Sequence, residues 1–153
     1  MLQEFPEILI IGYGNTLRSD DGIGQKVAEE VEKWGDPRVR SLYLHQLTPE
    51  LVLEMATAKM VIFVDAIQMT DQIREIEFKT ITVNEDNNNS NHSSNPQYLL
   101  NLTQQLYNKK PVVFWLLIPV INFDFGENFS PIALKGLEIA LTKIKLLSQI
   151  NQN

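Results

Sequence analysis

Short aliphatic runs alternate along the chain with longer stretches in which apolar residues recur every three or four positions, a pattern that predicts strands separated by helices. Glu7 to Gly12, carrying Ile8-Leu9-Ile10-Ile11, reads as a strand buried on both faces. Ser19 or Asp20 stands where a helix cap belongs, and the helix behind it runs to about Trp34 with Ile23, Val27 and Val31 at four-residue spacing. Arg38 to Leu44 reads as a second strand. Thr48-Pro49-Glu50-Leu51 opens a second helix, with Thr48 at the N-cap and Pro49 in the first turn. Met60 to Val64 is a third, wholly apolar strand that ends at Asp65. From Ile73 to Val83 apolar and polar residues alternate, which predicts a half-exposed edge strand. A polar, asparagine-rich loop follows from Asn84 to Asn95. Asn95-Pro96 starts a third helix to about Tyr107, Pro111 to Ile118 is a fifth strand, and Ser130-Pro131 caps a last helix to about Leu147 ahead of a polar tail.

This order predicts a single three-layer α/β/α domain over residues 1–153, with a five-stranded, mostly parallel sheet and one antiparallel strand. The antiparallel strand is the fourth. Only Gln68 to Gln72 join it to the third, and a parallel crossover needs about a dozen residues. It therefore ends at the opposite edge from the start of the next helix, and Asn84–Asn95 must carry the chain back. Twelve residues span at most ~40 Å at ~3.3 Å each, which is ample. That return delivers His92 to the carboxyl edge of the sheet, where open α/β sheets bind ligands. The same edge collects Gly12–Asp21, His45, Asp65 and Asn122–Asn128.

Composition narrows the classes. With 44% hydrophobic and 21% charged residues, the chain has the make-up of a soluble globular protein. No apolar run approaches the ~18 residues that cross a membrane, and Met1–Glu7 lacks the basic-then-apolar order of a signal peptide, so a cytoplasmic location and no membrane partner are expected. There is no cysteine, which removes disulfides, thiolate metal sites and cysteine nucleophiles. A net charge of -6 argues against nucleic acid.

The first strand runs into Gly12-Tyr13-Gly14 and then into two adjacent acids, Asp20 and Asp21. A phosphate would want amides and positive charge in this connection; acid suits a cation or a metal-bearing partner. Helix capping accounts for one of the two carboxylates at most. Asp65 is either a turn residue at a strand end or a site carboxylate at the end of a central parallel strand. His92, inside Asn87–Asn95, is either a solvated loop residue or a member of the same edge. His45 fits a structural or substrate-contacting role, and Asp124 and Glu127 fit a cleft or a solvated loop equally well. Two carboxylates and an imidazole would make a borderline-hard site for a divalent ion of the zinc or nickel type, with open positions. Other chemistries lack their residues. Leu17 stands where a dinucleotide fingerprint needs its third glycine, no P-loop lysine follows, and no Gly-x-Ser-x-Gly elbow occurs.

These residues resemble the maturation endopeptidases of nickel–iron hydrogenases. The family's opening pattern, Gly-x-Gly-Asn-x-Leu-x-x-Asp-Asp/Glu-x-x-Gly, is met by Gly12 to Gly24 throughout. Its aliphatic strand ending Asp-Ala is met by Val61–Ala66. Its histidine block, His-x-x-Ser-Pro-x-x-Leu-Leu, is met by His92 to Leu100 with Asn95 in the serine position. His45–Leu51 and Ile118–Pro131 look like one branch of the same family. The resemblance implies an endopeptidase that removes a C-terminal extension from a hydrogenase large-subunit precursor once nickel is in place. It implies Asp21, Asp65 and His92 as the side chains that contact metal, Asp21 and Asp65 as the candidates for catalysis, and no permanent cofactor, the nickel arriving with the substrate. Two rival readings use the same acids: a non-catalytic metal-sensing chaperone or checkpoint module for hydrogenase assembly, and a phosphoacceptor receiver. The receiver needs its acid pair directly after strand one and a lysine after strand five, and this chain has neither.

Overall fold

The computed structural model describes residues 7–84 and 95–150 of the chain. Its elements are β1 (Ile8–Tyr13), α1 (Ile23–Glu32), β2 (Val39–Leu44), α2 (Leu51–Met55), β3 (Met60–Gln68), β4 (Glu77–Ile81), α3 (Pro96–Tyr107), β5 (Val112–Val120) and α4 (Pro131–Ile150). The sheet is five-stranded in the order β2-β1-β3-β5-β4, parallel except for the β4–β5 pair. This is the α/β architecture expected from the hydrophobic pattern, with β4 the antiparallel edge.

Each face of the sheet carries its own core because side chains alternate along every strand. Ile8, Ile10, Ile62, Val64, Leu116 and Ile118 face α1 and α4, while Leu9, Ile11, Val61, Phe63 and Val113 face α2 and α3. Most of these are fully buried, each worth ~1.5–3 kcal/mol relative to exposure. Among the described residues no helix is long and apolar enough to cross a membrane.

The local structure departs from the predicted elements where distant residues intervene. Ser19–Gly22 form a 3-10 turn, α1 begins only at Ile23, and neither Ser19 nor Asp20 caps it. Both side chains are bound instead to the segment after β5. Thr48 is not a side-chain cap either. A backbone turn, Leu51 N–H to the Thr48 carbonyl and Val52 N–H to the Pro49 carbonyl, leads into α2. Asn95 does cap α3, its side chain accepting from Tyr98 N–H at 2.8 Å with Pro96 behind it, and Ser130 Oγ accepts from Ala133 N–H at the start of α4.

Two strands run longer than the pattern predicts. β3 continues to Gln68, three residues beyond Asp65, because β5 pairs with it as far as Val120. β5 also inserts between β3 and β4, so the chain from Met69 to Ile76 passes over its end. Gln97 Nε2 donates to the Thr82 carbonyl, and Asn84 N–H to Asn101 Oδ1, so residues 82–84 already lie along the first turns of α3. His92 lies outside the described residues.

Candidate active site

β1 pairs with β2 on one side and β3 on the other; the connection leaving β1 runs toward β2, and the one leaving β3 runs the other way, toward β4. The carboxyl end of such a strand is the switch point at which open α/β sheets hold ligands. Pairing between β1 and β3 stops at Gly12 and Val64, while β3 continues alongside β5. The β1 loop therefore turns away just where Asp65 follows Val64.

Gly14 makes that turn with a φ of 143°, and a Cβ there would run into the Asp21 carbonyl. Its N–H donates to the Leu44 carbonyl at 3.2 Å, and its own carbonyl accepts from Gln25 Nε2 at 2.7 Å. The loop then folds on itself. Asn15 N–H donates to Asp21 Oδ2 at 2.8 Å, and Asn15 Oδ1 accepts from Leu17 N–H at 2.9 Å. The half-buried Asp21 carboxylate takes this one hydrogen bond among the described residues, so an oxygen is left for a ligand.

Its neighbour Asp20 does different work. Fully buried, it accepts from Ile121 N–H, Asn122 N–H, Ser130 N–H and Ser130 Oγ at 2.8–3.3 Å. Ser19, held at a φ of 52°, adds a bond from its hydroxyl to the Asp124 carbonyl and one from its N–H to the Gly126 carbonyl. Asp20 thus ties the β1 loop to the segment between β5 and α4 and has no capacity left for a ligand. This accounts for the acid that capping leaves unexplained.

Asp65 sits inside β3 on the α2/α3 face, half-buried. Oδ1 accepts from Ala66 N–H at 2.8 Å, and the Tyr13 hydroxyl lies near the carboxylate. Burial pushes its pKa up to about 7; the Ala66 hydrogen bond and the Tyr13 hydroxyl oppose that shift, and the nearby charge of Asp21 adds to it. Tyr13 itself is held firmly protonated, first by burial and then by the Asp65 charge. Trp115 Nε1 donates to the Tyr13 oxygen at 3.0 Å. Asp21 and Asp65 are thus close enough for the charge of one to raise the pKa of the other.

The remaining candidates divide. His45 is exposed and follows Leu44, whose carbonyl anchors Gly14, so it stands at the same edge. Asp124 and Glu127 are exposed; the backbone carbonyl of Asp124, rather than its carboxylate, is what holds Ser19. Among the described residues no three His, Asp or Glu side chains come together as a metal site. Asp21 and Asp65 stand at the same sheet edge, and the third side chain of the predicted set, His92, is not among those residues. Sequence reasoning passed over Tyr13 and Trp115. Their signal is strand alternation, which puts Tyr13 of β1, Asp65 of β3 and Trp115 of β5 on one face of the sheet.

No sequence-family model matches the chain, and no curated protein matches it. Solved structures do. The NiFe hydrogenase maturation protease HycI from Thermococcus kodakarensis KOD1 superposes with a TM-score of 0.71 at 22% identity, over 96% of this chain and 93% of its own. HybD from Thermococcus kodakarensis, also a NiFe hydrogenase maturation protease, gives 0.70 at 19% identity, over 92% and 98%. The hydrogenase maturating endopeptidase HybD from E. coli gives 0.67 at 20% identity, over 95% and 94%. The chain therefore has the fold of the hydrogenase maturation proteases along nearly its whole length.

Proposed function

We propose that this chain is an endopeptidase that removes a C-terminal extension from a nickel-loaded hydrogenase large-subunit precursor. What supports the reading is that Asp21 stands in the loop leaving β1 and Asp65 directly follows Val64, the last β3 residue paired with β1, in a fold shared with the hydrogenase maturation proteases, while Asp20 is engaged elsewhere. Carboxylate oxygens suit a divalent cation. Nickel in the substrate's unfinished centre is read by Asp21 and Asp65, with His92 as the third side chain. A site that binds loaded precursor more tightly than empty precursor is what selectivity requires. The protein itself carries no permanent cofactor in this reading.

The chain's residues also suit hydrolysis. A carboxyl with a pKa near neutrality exchanges a proton at working pH more readily than an ordinary aspartate. Asp65 is thus suited to take a proton from the attacking water and return it to the leaving amine, while Asp21 holds the substrate's metal. The partner is the precursor, with neither nucleic acid nor membrane, and the place of action is the cytoplasm.

The test is to incubate nickel-loaded precursor with the parent protein and with Asp21→Asn and Asp65→Asn, and to weigh the large subunit. The reading expects the subunit to lose the mass of its extension with the parent protein only. A stable complex with no loss of mass would instead make the chain a checkpoint module. Normal processing by Asp21→Asn would remove the site.

A further inference from the structure

Two apolar side chains stand in water beside Asp21: Phe125 is 79% exposed and Leu17 48%. A single exposed apolar residue is ordinary on a protein surface. This pair is set apart by how it is held. The β1 loop and the segment after β5 form a short parallel bridge centred on Arg18 and Gly126. Gly126 N–H donates to the Leu17 carbonyl and Ser19 N–H to the Gly126 carbonyl, both at 2.8 Å. Leu17 and Phe125 each precede a bridged residue, so they are neighbours on backbones about one strand spacing apart, ~4.8 Å.

The two backbones are not free to fold the pair away. Behind them the buried Asp20 carboxylate is held by Ile121, Asn122 and Ser130, and the Ser19 hydroxyl donates to the Asp124 carbonyl at 2.8 Å. Three phenylalanines lie in the segment after β5. Phe123 and Phe129 pack against the core under α1 and α4, which anchors the segment without Phe125. The lip also adjoins the candidate site. Leu17 N–H donates to Asn15 Oδ1, Asn15 N–H to Asp21 Oδ2, and Asp21 N–H to the Arg18 carbonyl, so the carboxylate and the lip belong to one hydrogen-bonded loop. A protein interface covers ~800 Å² per partner, a disc ~16 Å in radius. Leu17 lies only four residues from Asp21, so a protein that brings a metal to Asp21 covers the lip as well.

We propose that Leu17 and Phe125 form an apolar lip on which the precursor's polypeptide docks as its metal centre meets Asp21, with Phe125 as the anchor for an apolar side chain of the precursor. The proposal rests on the reading of Asp21 as a side chain that meets the precursor's nickel. Exposed aromatics dominate the energetics of many interfaces, and a patch already fixed in place needs little ordering on binding. Neither side chain carries an acid, a base or a hydrogen-bonding group, so the effect falls on binding and leaves the chemical step alone.

The experiment measures steady-state cleavage of nickel-loaded precursor, and separately its dissociation constant, for the parent protein, Phe125→Ser, Leu17→Ser and Asp21→Asn. The control is Leu146→Ser, a similarly exposed leucine near the far end of α4. Phe125→Ser should raise KM and the dissociation constant by ~30-fold, and Leu17→Ser by ~5-fold, with kcat and the unfolding midpoint nearly parental. Leu146→Ser should match the parent throughout. Should Phe125→Ser fail to fold, Leu17→Ser carries the same test at smaller amplitude. Because binding is read apart from cleavage, a parent protein that holds the precursor without cutting it still tests the lip. Parental KM and dissociation constant in Phe125→Ser, beside an inactive Asp21→Asn, would overturn the proposal and keep the site. A loss confined to kcat, or an equal rise in KM for Leu146→Ser, would also overturn it. Self-association of the parent that Phe125→Ser abolishes while KM stays parental would give the lip to a second copy of the chain, and the proposal would fall. Full cleavage by Asp21→Asn would overturn the site and the proposal together.

Discussion

The four hydrogen bonds that Asp20 accepts come from residues about a hundred positions away, two of them at 2.8 Å from Ser130 alone. Removing the carboxylate strands partly buried donors, each costing up to ~1–3 kcal/mol. Asp20→Ala should accordingly destabilise the fold by several kcal/mol, while Asp21→Asn, which touches one hydrogen bond at a half-buried site, should change stability little; urea unfolding of the two variants measures this. Asp65 makes a prediction about pH. Its folded pKa, about 7, lies above the ordinary 3.8. Its contribution to stability is thus fully present below about pH 4 and is lost as pH rises through about 7, because the unfolded chain releases the proton more easily. Unfolding free energy measured across that window should fall further for the parent than for Asp65→Asn, and the variant should be at least as stable at neutral pH. A large stability loss in Asp65→Asn would return the residue to a purely structural role. The candidate acids were legible in the sequence by type and position. That Asp20 is the one tied into the fold was not, since the donors that claim it lie on a segment no local pattern connects to it.

At the scale of elements, the β1 loop is shaped by Gly14. Its φ of 143° is closed to ordinary side chains, and a Cβ would meet the Asp21 carbonyl. Gly14→Ala should cost ~1–3 kcal/mol and should also displace Asp21, so cleavage should fall by much more than a comparable stability loss elsewhere would cause; unfolding and processing measured on one preparation separate the effects. The strands and the Asn95-Pro96 helix start were readable because periodicity and capping are local. The start of α1 was not, since Ser19 and Asp20 spend their side chains across the molecule and leave a 3-10 turn where a capped helix was expected. Nor was the place of β5. The short β3–β4 connection established that β4 is antiparallel. Strands lie only ~4.8 Å apart, so the eight residues from Met69 to Ile76 also reach over an intervening strand, and only tertiary pairing decides between the arrangements.

For the molecule as a whole, two apolar layers on opposite faces of the sheet hold the fold, and neither draws on Asp21 or Asp65. Stability should then be independent of metal. Cooperative thermal unfolding should be unchanged by a strong chelator, and a lowered midpoint would mark a structural ion. The switch point, the opposite directions of the chain on either side of β1 and the continuation of β3 past β1 bring the two carboxylates to one edge. The central claim is that this edge reads nickel in a precursor before the precursor is cut. It is tested most directly by offering the parent protein equal amounts of nickel-loaded and empty large-subunit precursor and following the mass of each over time. The account predicts loss of the C-terminal extension from the loaded precursor while the empty one stays intact. Equal cleavage of the two, or cleavage of neither, would contradict it.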